Sequence, residues 1–157
     1  MIVEMNFDQA LANENFDTFL TVMDDQLDAL KIEAEKQGIQ LDLSLDDLDR
    51  LERLFDLMSA GLSKDAISSL VVTFARHLGE VVRLKFGGKW HLPLDDEKSV
   101  NFNTPVLVGH SPMKDLEFAP LSTMRAYALR KRSGTLRRAV DADININPLD
   151  LSGLVEE

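Results

Sequence analysis

"SKDAISSLVVTFARHLGEVVRLKFGGKW", residues 63–90, decides how this chain folds. At 100° per residue, Ile67, Leu70, Val71, Phe74, Leu78, Val81 and Val82 fall on one stripe, and Val72, Ala75, Gly79 and Phe86 widen it. Ser69, Thr73, Arg76, Glu80 and Arg83 are left as a polar side of roughly a quarter of the circumference. A helix this apolar must be covered on several sides, so it belongs at the centre of the molecule. Ser63 is placed to cap its start, and Gly87-Gly88 can stop it by taking the left-handed conformation.

Beyond Gly88 the period changes. Trp90, Leu92 and Leu94 alternate with His91 and Pro93. After the polar turn DDEKS, Val100, Phe102, Thr104, Val106 and Val108 alternate with Asn101, Asn103, Pro105 and Leu107. Period 2 predicts a hairpin with one buried face, and Pro93 and Pro105 belong at strand ends or edges. A further helix is expected from Pro120 to about Arg132, stopped by Ser133-Gly134.

Upstream, Phe16, Phe19, Leu20, Met23, Leu27, Leu30 and Ala34 predict one helix over about 15–37, ended by Gly38. Leu48, Leu51, Phe55, Met58 and Leu62 predict another from about Ser44 to Gly61, with Ser44 and Asp47 in a near capping box. The short link between these two helices predicts antiparallel neighbours. The expectation is a single α+β domain over 1–157. It comprises acidic N-terminal helices (1–62), a helix–hairpin–helix core with a small antiparallel sheet (63–140), and a tail (141–157), extended or partly disordered.

The net charge of −10 is unevenly spread. Residues 1–60 carry 15 acids and 4 bases, whereas residues 113–138 carry 2 acids and 7 bases. An acidic first third opposes nucleic-acid contact and favours a basic partner. The chain has no cysteine, which excludes disulfides, thiolate metal sites and a cysteine nucleophile. No apolar run reaches the roughly 18 residues of a membrane span, and the first residues lack the pattern of a signal peptide. A cytoplasmic, bacterial protein is expected.

No catalytic set converges in the sequence. His77, His91 and His110 lack the spacing of a metal site, and "GHSP" at 109–112 reads as a turn, not a nucleophile elbow. Gly87-Gly88 follows a helix C-terminus, where outward carbonyls disfavour phosphate. No catalytic residue, metal or cofactor is therefore assigned. Glu80 stands out, with Arg76 four residues before it and Arg83 three after. This spacing predicts an Arg-Glu-Arg cluster. The alternative is a groove where Glu80, Arg76, Arg83 and Trp90 bind a ligand or partner. Arg125, Arg130, Lys131, Arg132, Arg137 and Arg138 have the density of a nucleic-acid patch but only Tyr127 among them as an aromatic platform.

Gly79, Glu80, Gly87, Gly88 and Trp90 together resemble a signature of small uncharacterised bacterial domains. In these a Gly-Glu helix runs on to Gly-Gly-x-Trp and then enters a short sheet. The resemblance covers about residues 70–108. It implies an accessory or immunity-type binding protein and carries over no catalytic residue. The expected function is non-enzymatic protein binding. A small-molecule site or weakly marked enzyme at Glu80, and nucleic-acid binding through 125–138, are the alternatives.

Overall fold

The structure, a computed structural model, describes residues 7–113 and 115–144. Six helices and three short strands follow in the order α1 (Gln9–Thr21), α2 (Met23–Lys36), α3 (Asp47–Ser59), α4 (Lys64–Phe86), β1 (Lys89–His91), β2 (Val106–Val108), β3 (Glu117–Phe118), α5 (Pro120–Arg130) and α6 (Thr135–Ile144). The fold is α+β, with the strands in one antiparallel sheet of order β1-β2-β3.

Helix α4 is the axis. Ser63 accepts a hydrogen bond from the Ala66 N–H at 3.2 Å, and Gly87 ends the helix at φ +87°. Its residues Phe74, Ala75, Leu78, Val81 and Val82 are wholly buried. Helices α2, α3 and α5 each pack on it, while α6 lies against α3 and α5. The core joins Leu30 and Ala34 of α2, Leu51 and Phe55 of α3, Leu107 and Phe118 of the sheet, Met124 and Tyr127 of α5, and Leu136 and Val140 of α6. Helices α2 and α3 make their main contacts with α4 rather than with each other, so they are not the antiparallel pair expected from their short link.

The expected first helix is two helices. It begins earlier, where Asp8 caps α1 by accepting from the Leu11 N–H at 2.9 Å. It breaks at Val22, whose φ and ψ are −89° and 5°. The hydroxyls of Thr18 and Thr21 donate to the carbonyls of Glu14 and Asp17, four residues back, and such bonds bend helices. Asp24 and Asp25 then occupy the first turn of α2, where negative charge is favourable. The next helix starts at Asp47, after Asp46, and not at Ser44. The side chain of Asp47 is turned inward, and Ser44 donates to Asp42 instead.

The hairpin exists but is short. Trp90 pairs with Leu107 and His91 with Val106. The expected strand from Val100 shrinks to Val106–Val108, and Val100 is 93% exposed. Residues 99–104 turn instead, with the Phe102 N–H on the Ser99 carbonyl and the Asn103 N–H on that of Pro93. Pro93 and Pro105 both sit just outside strands. A third strand, Glu117–Phe118, gave no alternating pattern because it is only two residues long.

Helix α5 ends at Arg130, with Lys131 in the left-handed conformation, slightly before the expected Ser133-Gly134 stop. The largest departure is α6. Its last residues, 141–144, lie where an extended or disordered tail was expected, and the rest of that tail lies outside the described residues. Gly134, which precedes the helix, has no side chain with which to cap it. Glu52 of the neighbouring α3, more than 80 residues away in sequence, supplies the cap, its carboxylate accepting from the Gly134 N–H at 2.8 Å and the Leu136 N–H at 3.0 Å.

Glu52→Ala leaves those two N–H groups without acceptors. It is expected to cost about 3 kcal/mol in chemical denaturation and to speed amide exchange in α6 first. A second test uses the single tyrosine. The Tyr127 hydroxyl donates to Asp56 at 2.9 Å, tying α5 to α3. Burial first, and then the Asp56 and Glu52 carboxylates, push its ionisation well above the ordinary tyrosine range. The unfolded chain releases this proton near pH 10 while the folded chain keeps it, so above about pH 10 the unfolded state binds fewer protons and stability falls as pH rises. Phenolate absorbance should therefore appear together with the loss of helical circular dichroism. A phenolate titrating near pH 10 in still-folded protein would contradict this.

Candidate functional site

Glu80 was singled out by the sequence, and the structure buries it at 6% exposure, on what had looked like the polar face of α4. Its carboxylate accepts from Arg83 twice, from Nε at 2.6 Å and Nη2 at 2.9 Å, and from the Trp90 indole N–H at 3.0 Å. The fork of Arg83 is the bidentate geometry that carboxylates favour. This carboxylate raises the ionisation of Arg83 above its ordinary value.

Arg76 is not part of this cluster. Its guanidinium lies over the ring of Phe19, 4.5 Å from the centroid, and burial pulls its ionisation below the ordinary value. The Arg-Glu-Arg expectation is therefore half met, with the Trp90 indole taking the place of Arg76. The reason is packing. Phe19 of α1 sits edge-on to Trp90 at 5.1 Å and presents its own face to Arg76. That contact holds the guanidinium over the ring and away from Glu80, and leaves Arg76 Nε buried with no hydrogen-bond partner.

The glycines explain why the indole can reach Glu80. A Cβ on Gly79 would stand 2.2 Å from the outer edge of the Trp90 ring, so the ring rests on bare helix backbone. Gly88, at φ +97°, approaches the other strand so closely that a Cβ would meet the Val108 carbonyl oxygen at 2.6 Å. Gly79, Glu80, Gly88 and Trp90 thus form one lock between α4 and the sheet.

A groove of about 410 Å³ runs beside the lock, lined by Leu20, Met23, Asp24, Glu80, Arg83, Lys89 and Trp90. Ligand chemistry there would have to compete for acceptors that three protein hydrogen bonds already use. Glu80, Arg83 and Trp90 are brought together, and what the arrangement does best is hold β1 onto α4.

A second buried carboxylate escaped the sequence reading. Asp47 is fully buried and accepts from the Leu43 N–H at 2.7 Å, the Asp42 N–H at 3.1 Å, Arg50 Nη1 at 3.0 Å and His77 Nε2 at 2.6 Å. It pins the link between α2 and α3, where Leu43 takes φ +61°, onto the middle of α4. Asp47 directly precedes Leu48 on the buried side of α3, a weak signal that its helix-start position disguised. His77 Nδ1 is buried and has no hydrogen-bond partner. It lies by a cavity of about 150 Å³, beside Leu27, Lys31 and Asp42.

The three histidines do not come together. His77 is on Asp47, and His110 is 3.4 Å from Asp143, whose ionisation burial raises and the imidazole lowers. His91 is exposed on β1. Among the described residues, no group of three or more His, Asp or Glu side chains is placed to hold a metal ion. Ser111 accepts from the Met113 N–H, and Gly109 has φ +78°, so "GHSP" is a turn. Of the basic segment, Lys131 pairs with Asp56 and Arg137 with Asp49. Among the described residues, no helix is long and apolar enough to cross a membrane. No protein-family model, curated protein or solved structure matches this chain.

The single Trp makes the lock measurable. Gly79→Ala would gain about 1 kcal/mol from helix propensity. The displaced ring should outweigh this, giving a net loss of roughly 1–2 kcal/mol together with red-shifted tryptophan emission. Glu80→Ala should also red-shift the emission and cost about 2 kcal/mol by leaving the indole N–H unpaired. Wild-type emission in either variant would show that the lock does not hold Trp90.

Proposed function

We propose that this protein is a non-enzymatic binding module whose α1–α2 face docks a basic protein partner. A regulatory, accessory or immunity role in the cytoplasm of a bacterium is the specific form of this reading. One observation carries it. Helices α1 and α2 carry eight acids from Asp8 to Lys36, seven of them exposed, and the exposed apolar side chains Leu11, Leu20 and Ile32. Among the described residues, Glu33 alone of these acids is in an ion pair within 4 Å, with Lys36.

Exposed acids together with exposed apolar side chains suit a protein partner. The charges steer encounter and set a strong salt dependence, while the apolar side chains hold the docked state. Helix α1 supports the reading too, since it buries little beyond Ala12 and Phe19 and leaves most of its surface free. The resemblance of residues 78–90 to accessory and immunity-type domains points the same way.

The alternatives have less support. A small ligand at Glu80 would meet a carboxylate already bonded to Arg83 and Trp90. Nucleic-acid binding through 125–138 would rely on Arg125, Arg130 and Arg132, since Lys131 and Arg137 are in ion pairs and Arg138 donates to the Ser133 carbonyl. Three cations on a chain of net charge −10 are a small phosphate footprint.

Affinity capture from native extract, using the wild type and a Glu14→Gln, Asp17→Asn, Asp25→Asn triple variant, tests the proposal. A stoichiometric basic partner should be held at low salt, released at about 0.5 M, and lost by the variant. Finding no stoichiometric partner at low salt, or one that the variant holds equally well, would count against the α1–α2 face.

A further inference from the structure

The first turns of α4 and the second half of α5 diverge, leaving a groove of about 480 Å³. Its apolar lining is Ile67, Val71 and Val72, with the exposed Leu129 along one side, and the cations Lys64 and Arg125 line it as well. Leu129 is 80% exposed, the most exposed leucine among the described residues. A second groove of about 240 Å³ continues over the other side of Arg125 and Leu129 and adds Arg130. No carboxylate lines either groove, and Asp65, next to Lys64, is not among the side chains around them. Among the described residues, Lys64, Arg125 and Arg130 make no ion pair within 4 Å.

We propose that this α4–α5 groove is a second docking site, and that its occupant is an acidic amphipathic helix of a partner protein. The charge argument is local. On a chain of net charge −10, an apolar trough whose only charged lining residues are cations selects an occupant whose apolar residues are flanked by Asp or Glu. The N-terminal end of α4, where Lys64 sits, adds the positive end of a helix dipole. The backbone argument selects a helix. Both walls are helices whose backbone groups are bonded internally, so no free strand edge is offered to an extended peptide. A helix satisfies its own backbone and needs no acceptors or donors from the walls. Apolar residues at i and i+4 would lie along Val71, Val72 and Leu129, with acids reaching Lys64, Arg125 and Arg130.

The test is selection of a phage-displayed library of random-sequence helical peptides against the immobilised full chain. An enriched peptide is then synthesised and titrated by fluorescence anisotropy. The expected consensus has apolar residues at i and i+4 with acidic neighbours. Because Leu129 and Arg125 are exposed, Leu129→Glu and Arg125→Glu should leave the circular dichroism unchanged while weakening binding by about tenfold or more, and added salt should weaken it further. The α1–α2 triple variant should bind the peptide as the wild type does, which separates this proposal from the preceding one. The proposal fails if no sequence is enriched, if the consensus lacks acids, or if neither groove variant weakens binding. It also fails if sedimentation shows a dimer that Leu129→Glu disperses, because a second copy is then the occupant. Shifts of groove amides on Leu154→Glu would assign the groove to the chain's own C-terminal segment and overturn it equally.

Discussion

The Trp90 indole lies across Gly79 and donates its N–H to Glu80, and the placement of β1 on α4 follows from that contact. The sheet is only three short strands, and such a sheet has little stability of its own. Leu107 and Phe118 bury its inner face in the core, and one large ring fixes β1 in both position and direction. Gly79 sets how close the ring comes, and Glu80 sets which way its polar edge points. Phe19 of α1 closes over the other side, so the same ring also anchors the first helix. The Gly-Glu and Gly-Gly-x-Trp letters thus have a mechanical explanation that requires no ligand.

Among the described residues, Glu80 has two counterparts. Asp47 holds the α2–α3 link and His77, and Glu52 holds the start of α6. Each is a buried carboxylate on α3 or α4 with at least one partner from another segment of the chain. Buried carboxylates are costly to desolvate, and they persist where several donors surround them. Asp47 has four such donors, Arg50, His77 and the Asp42 and Leu43 amides. In a chain so rich in acids, these three are separated from the rest by their partners. Most of the other acids stay at the surface, and on α1 and α2 they make the face assigned here to a basic protein.

The sequence made the central helix legible to within a residue, from the Ser63 cap to the Gly87 stop, because both period and caps are local. It also located the first β-pairing and the proline positions. It failed where distant groups intervene. Three apolar positions, Leu136, Val140 and Ile144, are a thin signal for α6, and its cap is a glutamate more than 80 residues away. The break at Val22 depends on threonine hydroxyls choosing carbonyls over water. At the candidate site, spacing brought Glu80 and Arg83 together correctly. The same spacing placed Arg76 with them, but Phe19 packs beneath Arg76 and removes it.

By itself, then, the sequence determined the axial helix, the change from period 3.6 to period 2, and the division of charge between an acidic front and a basic segment. Those properties reside in neighbouring residues, and solvent reads them without help from the fold. Only the tertiary structure decided which acids would be buried and which left to face water. That choice depends on donors gathered from separate segments, and a carboxylate enters the interior only when enough of them converge on it.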